Sequence, residues 1–195
     1  MLRMPYASTA TGAAIFTAVM LVFLAQEFTQ GFDTPDSSSV RDDRWALVYL
    51  EVVPVLLVCI AGLLCLLGVG AWTASLPVFV VGIAALLIGL ALRQWSHHTL
   101  GRFHQALVTI QDEHDLVTSG PYRLVRHPMY TGSAIAFLGV GLALGTWPGL
   151  LLVSFGTLAA MVRRISVEER ALTQALGEEY ASYAADRARM LPGIW

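Results

Sequence analysis

The sequence predicts an all-α integral membrane protein with five transmembrane helices. Its 195 residues are 56% hydrophobic and only 13% charged, and the mean hydropathy is +0.63. An average soluble domain carries about 25% charged residues, so the bilayer is the expected solvent. About 20 apolar residues cross the hydrocarbon layer as a helix. The apolar runs therefore predict spans at 11–30, 45–70, 76–92, 128–145 and 149–165.

The first three spans follow from apolar runs and the breaks between them. The run at 11–30 is longer than a signal-peptide core and lacks a clean small-residue cleavage site, so we expect a retained helix. The patch at 33–44 holds six charges and three consecutive serines and predicts a surface loop. The run at 45–70 exceeds the minimum length, so we expect either a tilted helix or a bend at Pro54. Arg93 is expected to end the third span.

The last two spans are set by a proline and by a run of charges. Pro128 cannot donate a backbone hydrogen bond and suits the first turn of a helix. The fifth apolar run is short for a bilayer unless its helix continues through the charged residues 163–169. Apolar and aromatic residues at helical spacing over 167–189 predict a C-terminal amphipathic helix. No polar linker divides the chain, so residues 1–195 are expected to form a single membrane domain.

The composition excludes several classes of function. The formal charge of −2 and the absence of any basic run argue against nucleic acid as a partner. All twelve cationic residues are arginine, which removes Schiff-base chemistry and a Walker lysine. Cys59 and Cys65 lie six residues apart in one predicted helix, too far for a disulfide. No metal site is predicted.

Arginine distribution predicts the orientation in the membrane. With five spans, the loop at 31–44, the segment at 94–127 and the C-terminus share one side. Eleven of the twelve arginines lie on that side and only Arg3 lies on the other. The positive-inside rule therefore predicts a multi-pass protein whose polar segments face the cytoplasm.

Residues that can carry chemistry concentrate ahead of the fourth span. The segment at 94–126 holds four of the five histidines, and His127 follows at once. Connections of that length are uncommon in compact bundles unless they are functional. Arg126, His127 and Tyr130 lie where a helix N-terminus offers free amides and a positive dipole end to an anionic ligand. The alternative is that arginine and tyrosine only anchor the helix at the interface.

Five polar motifs follow one another in this half of the chain. In order they are Leu100-Gly101-Arg102-Phe103, His114-Asp115-Leu116-Val117-Thr118-Ser119-Gly120-Pro121-Tyr122-Arg123, Arg126-His127-Pro128-Met129-Tyr130-Thr131-Gly132, Arg164-Ile165-Ser166-Val167-Glu168-Glu169 and Gly177-Glu178-Glu179-Tyr180. Together they resemble the isoprenylcysteine carboxyl methyltransferase family, and related phospholipid N-methyltransferases share parts of the pattern. The resemblance covers residues 93–193, the expected catalytic region.

The resemblance implies a membrane methyltransferase that uses S-adenosyl-L-methionine and a lipidic or prenylated acceptor drawn from the membrane lipids. It implies a cytosolic cofactor pocket between the loop before the fourth helix and the charged extension of the fifth. Arg164 is expected to face the acceptor carboxylate as the catalytic residue. The residues expected to bind the cofactor are Gln111, His114, Asp115, Leu116, Val117, Tyr122, His127, Pro128, Met129, Tyr130 and Glu168.

The chemistry of methyl transfer agrees with these residue types. Transfer from a sulfonium is an in-line displacement that needs alignment more than acid or base, so proximity and electrostatics should dominate. Arg164 and Glu168 are four residues apart and would share one helix face. The alternative is a surface ion pair of about 0.3–0.5 kcal/mol. Glu169 and Arg170 are expected to be solvated.

The sequence leaves the acceptor open. The resemblance favours a carboxylate acceptor, which is already ionised at neutral pH and needs no base, whereas the choice between O- and N-methylation stays open. N-methylation of a phospholipid amine would need a base such as His97, His98 or His114. Two further functions are compatible with the sequence, a sterol-type reductase that uses a reduced nicotinamide and a lipid-binding bundle without turnover. The oligomeric state and the roles of Glu27 and Glu51 are also open.

Overall fold

The computed structural model describes residues 5–31, 52–72, 75–101 and 116–193. Within these ranges the regular structure is helical, with two isolated β-bridges and no β-strand. Short 3₁₀ helices lie at Tyr6–Ser8 and Gly120–Arg123. The α-helices are α1 Ala10–Gly31, α2 Val53–Leu66, α3 Ser75–Leu100, α4 Pro128–Leu144, α5 Trp147–Leu176 and α6 Glu178–Ala185.

Apolar runs predicted the positions of the membrane helices well. Helices α1 and α4 match the expected spans at 11–30 and 128–145 to within one residue at each end. Among the described residues, two helices are long and apolar enough to cross a membrane, Leu76–Leu100 and Trp147–Leu176, and three shorter apolar helices accompany them. An all-helical fold is therefore confirmed for the described residues, whereas the count of five spans stays a prediction.

Two predicted helix ends were wrong. Helix α3 continues past Arg93 to Leu100, because the polar residues after Arg93 mark the end of the apolar surface and do not interrupt helical backbone. The hydroxyls of Ser96 and Thr99 each hydrogen-bond a carbonyl one turn earlier. Gly101, with a φ of 54°, follows the helix. The second span was also too long, since residues 67–70 form a turn.

The predicted C-terminal amphipathic helix over 167–189 is divided in two. Gly177 has φ 51° and ψ −123°, a backbone conformation that side chains with a Cβ rarely adopt. Helix α5 therefore ends at Leu176, and α6 starts in a new direction at Glu178. The extension of α5 beyond the apolar run, predicted on length, is present as part of a 30-residue helix.

The core lies between α3 and α4, which pack through glycines. A Cβ at Gly89 would fall on the backbone of Gly132 and Ala136, and a Cβ at Gly139 would fall on Gly82 and Leu86. Small residues allow the backbones of membrane helices to approach this closely. Around them lie the fully buried side chains of Leu86, Ala136 and Val140.

The turns that join α2 to α3 and α4 to α5 meet at one end of the bundle. Trp147 N donates to Gly70 O at 3.1 Å and Trp72 N donates to Gly145 O at 3.2 Å. The hydroxyl of Thr146 accepts from Gly149 N and caps the start of α5. These hydrogen bonds hold the start of α5 beside the end of α4. Because α5 then runs back along α4, its charged extension lies near the N-terminus of α4.

Candidate active site

The N-terminus of α4 is held by the chain on both sides of it. His127 is the N-cap residue and Pro128 occupies the first turn. The 3₁₀ helix just before it buries Tyr122, whose carbonyl accepts a hydrogen bond from the Tyr183 hydroxyl at 2.9 Å. By the general rule for helix termini, the first-turn amides of α4 have no carbonyl partner within the helix. Pro128 has no N–H, and Thr131 N donates to His127 O, so the rule applies to the amides of Met129 and Tyr130.

Glu168 and Arg164 reach the same side of α4 from α5. The Tyr130 hydroxyl donates to Glu168 Oε2 at 2.9 Å, and the Arg164 side chain interacts with the same hydroxyl. Arg164 is only 5% exposed, so it is not part of a surface ion pair. The prediction that these two residues share one face and one site is supported by their common contact with Tyr130.

Glu169 was expected to be solvated, and that expectation was wrong. It is 8% exposed and lies 2.7 Å from Arg126 Nη1, 2.9 Å from Arg189 Nε and 3.3 Å from His127 Nε2. Successive helix residues are rotated by about 100°, so Glu169 points away from Glu168 and towards the residues before α4. The exposed Arg170 does agree with the expectation.

The segment Asp186–Met190, called the C-terminal strap below, lies against the start of α4. Arg126 N donates to Ala188 O and His127 N donates to Arg189 O, both at 2.9 Å. The Thr131 hydroxyl donates to Met190 O at 2.8 Å. The acceptors in these hydrogen bonds are backbone carbonyls, which every residue has. The sequence therefore gives no sign of them.

Two tyrosines beside the site are held in the neutral form. Burial raises the pKa of Tyr122, and the nearby Glu168 carboxylate raises it further. Burial also raises the pKa of Tyr180. The nearby Glu169 carboxylate raises that pKa further, and the Arg126 guanidinium lowers it. Both phenols therefore keep their proton at neutral pH. They can act as hydrogen-bond donors but not as bases.

The described part of the chain brings together most of the predicted site residues. Tyr130 contacts both Arg164 and Glu168. His127 Nδ1 lies 3.9 Å from Glu168 Oε1, and Tyr122 is near enough to Glu168 for that carboxylate to raise its pKa. Pro128 and Met129 form the first turn of α4 between them, and Leu116 and Val117 lie in the non-helical segment leading to the 3₁₀ helix. Other predicted residues fall outside what the structure describes: Gln111, His114, Asp115, Glu51 and the side chain of Glu27.

The predicted base candidates on α3 belong to a different cluster. Gln94 links Gln26 of α1, at 3.1 Å, to His98 Nε2, at 2.8 Å. The His97 and His98 rings are 6.0 Å apart. Among the described residues, Gln94 and His98 thus contact each other along α3 beside Gln26 of α1, and a role of His97 or His98 as a base stays a prediction.

Two of the described helices are long and apolar enough to cross a membrane, and a buried charged cluster lies beside the N-terminus of α4. These features define a helical membrane protein. The model of the phospholipid methyltransferase family matches residues 77–179. The match covers more than half of the chain and includes Tyr122, Arg164 and Glu168. The chain belongs to the phospholipid methyltransferase family.

Individual relatives agree with that assignment. A probable protein-S-isoprenylcysteine O-methyltransferase of Oryza sativa subsp. indica is 34% identical over 116 residues, which are 58% of this chain and 61% of the relative. Protein-S-isoprenylcysteine O-methyltransferase A of Arabidopsis thaliana is 32% identical over 115 residues, 58% of each chain. The chain thus spans about three fifths of the length of these curated relatives.

A solved structure shares the fold. It is that of a eukaryotic intramembrane Ras methyltransferase, isoprenylcysteine carboxyl methyltransferase. The TM-score is 0.67 and the identity is 21%, over 96% of this chain and 69% of that one. The likeness establishes the helical architecture.

Proposed function

We propose that this chain is an integral-membrane, S-adenosyl-L-methionine-dependent methyltransferase. The acceptor we propose is the carboxylate of a lipidic molecule similar to an isoprenylcysteine. The observation that carries the proposal is the contact of Tyr130 with both Glu168 and Arg164. A buried guanidinium, a phenol and a partly exposed carboxylate meet beside the N-terminus of α4, in a chain whose family is named for methyl transfer.

The residues at this place fit S-adenosyl-L-methionine. The donor carries a carboxylate, an ammonium, a ribose diol and an adenine, and when bound it supplies an electrophilic methyl group on a sulfonium. The first-turn amides of α4 suit the carboxylate. The Glu168 side chain, 29% exposed, can accept hydrogen bonds from the ammonium or the diol. Tyr122 can stack or bond near the adenosine.

Arg164 would orient the acceptor. A guanidinium holds a carboxylate with two parallel hydrogen bonds, which fixes its direction as well as its position. Because an acceptor carboxylate is already ionised, the displacement needs alignment and exclusion of water, with no general base.

We also propose that the site faces the cytoplasm. The arginines around it, from Arg123 to Arg189, lie at the same end of α4 and α5, and the positive-inside rule assigns that end to the cytoplasmic side. An acceptor with a long apolar chain would lie in the bilayer, with its carboxylate at the depth of Arg164.

Binding of S-adenosylhomocysteine to detergent-purified protein tests this function. We expect Glu168→Ala to abolish the binding measured by isothermal titration calorimetry. The matched control is Glu179→Ala, which removes an exposed carboxylate on α6 and should leave affinity unchanged. If the unaltered protein binds the reduced nicotinamide dinucleotide and not S-adenosylhomocysteine, the protein is a reductase and the proposal fails.

The acceptor class is tested separately. A methyl-labelled donor is incubated with the protein and a native membrane extract, and the labelled lipids are identified by mass spectrometry. We expect base-labile methyl esters. Label that is confined to phospholipid amines would replace the carboxylate with an N-methylation acceptor, and no labelled lipid with a binding-competent protein would indicate a lipid-binding bundle.

A further inference from the structure

We infer that Glu169 is a positioning residue for the donor site, and that it holds the His127 imidazole in the tautomer that carries its proton on Nε2. The inference rests on the function proposed above and extends it to a residue that no expected role covered. Glu169 itself faces away from Glu168, so it acts through His127 and the C-terminal strap.

The proton position follows from the partners of Glu169. Arg126 at 2.7 Å and Arg189 at 2.9 Å supply two guanidinium partners and keep the carboxylate ionised. An ionised carboxylate can only accept hydrogen bonds. His127 Nε2, 3.3 Å from Glu169 Oε1, must therefore donate to it. In the neutral imidazole, Nδ1 is then an acceptor.

Nδ1 of His127 faces the other carboxylate. It lies 3.9 Å from Glu168 Oε1, too far for a direct hydrogen bond. Two acceptors side by side, Nδ1 and the Glu168 carboxylate, are complementary to a group that donates more than one hydrogen bond. The ammonium or the vicinal diol of the donor has that chemistry, whereas a carboxylate does not.

The C-terminal strap fixes the same histidine through its backbone. Arg189 accepts from His127 N with its carbonyl and donates to Glu169 with its guanidinium. His127, Glu169 and Arg189 therefore form a closed set of contacts, and the 4% exposure of His127 leaves its ring little room to turn. The family match ends at residue 179, so the strap lies beyond the part of the chain that the family pattern describes.

The tautomer can be read directly from the unaltered protein. Protein labelled with ¹⁵N-histidine is examined by NMR in detergent at a pH about two units above the ordinary histidine pKa of about 6.5. The His127 signals are assigned by their loss in His127→Asn. We expect an Nε2-protonated, Nδ1-unprotonated ring. An Nδ1-protonated or doubly protonated ring overturns the inference, and this result needs no Glu169 variant to fold.

The positioning role is tested with Glu169→Gln. The amide can turn its NH₂ group towards His127 and no longer enforces the proton on Nε2. We expect S-adenosylhomocysteine to bind about 10-fold more weakly, the loss for one charge-assisted hydrogen bond, together with a changed His127 spectrum. Glu179→Gln on the exposed face of α6 is the matched control and should change neither.

The two proposals fail in different ways. If the unaltered protein does not bind S-adenosylhomocysteine, the proposed function fails. If it binds, and Glu169→Gln lowers the melting temperature while the dissociation constant and the His127 spectrum stay as they were, Glu169 is only structural and the present inference fails.

Discussion

Gly139 lies at a close approach of α3 and α4, and its replacement by alanine should open that contact. The nearest atom to a Cβ at Gly139 would be Leu86 N, followed by Gly82 O at 2.6 Å and Leu86 Cα at 2.9 Å. All three are backbone atoms of α3 and cannot turn aside as a side chain can. Ordinary van der Waals contact begins near 3.4 Å, so the helices must separate by about 1 Å. A gap of that size forfeits a quarter to a half of each dispersion contact.

The resulting loss should be measurable. Overpacking of this kind costs about 1–3 kcal/mol of unfolding free energy, which corresponds to a fall in melting temperature of roughly 2–10 °C in a chain of this size. The assay is thermal unfolding of the purified protein in one detergent, followed by circular dichroism or a thiol-reactive dye on Cys65, which is buried.

Gly62→Ala is the matched control. Gly62 lies inside α2, and nothing is within 4 Å of the position its Cβ would take. Alanine should therefore stabilise α2 by about 0.5–1 kcal/mol through backbone entropy. If Gly139→Ala were as stable as the unaltered protein, or if both variants shifted in the same direction by the same amount, close glycine packing would not hold α3 to α4.

Two further predictions separate the site from the scaffold. Arg164→Lys keeps the charge but loses the planar guanidinium, so we expect the turnover number to fall at least about 10-fold while S-adenosylhomocysteine affinity is retained. The exposed Arg170→Lys is the control. Unchanged turnover in Arg164→Lys would remove Arg164 from the acceptor site. Thr146→Ala removes the cap of α5 at the opposite end of the bundle, so unfolding free energy should fall by about 1 kcal/mol, or roughly 2–4 °C, with donor affinity unchanged. Thr146→Ser should restore most of that stability, and a loss of donor affinity in Thr146→Ala would contradict the separation.

The apolar runs predicted the positions of the helices because the preference of a segment for lipid depends on its own composition and not on distant residues. They predicted helix ends less well. The run after Arg93 is polar, yet it stays helical to Leu100 because helical backbone depends on the absence of glycine and proline more than on hydropathy. The division at Gly177 has a visible signal in the sequence, since a glycine within an amphipathic pattern can end a helix.

Motif residues located the candidate site for a similar reason. The segment from Tyr122 to Tyr130 is contiguous, and Arg164 and Glu168 share a face through helical periodicity. The contact of Tyr130 with both joins two such local patterns. Glu169 escaped prediction because adjacent residues on a helix face different surroundings, and a charged pattern at a membrane boundary does not say which carboxylate is buried.

The sequence by itself determined the class of solvent, the positions of the main helices and the residue types at the site, since these depend on composition and short-range periodicity. Only the tertiary structure decided that Glu169 meets Arg126 and Arg189, and that the C-terminal strap binds the start of α4. The ion pairs of Glu169 join residues 43 and 20 positions apart, and the strap is held through its backbone carbonyls. Partners of that kind are selected by how the helices pack, and packing depends on the whole chain at once.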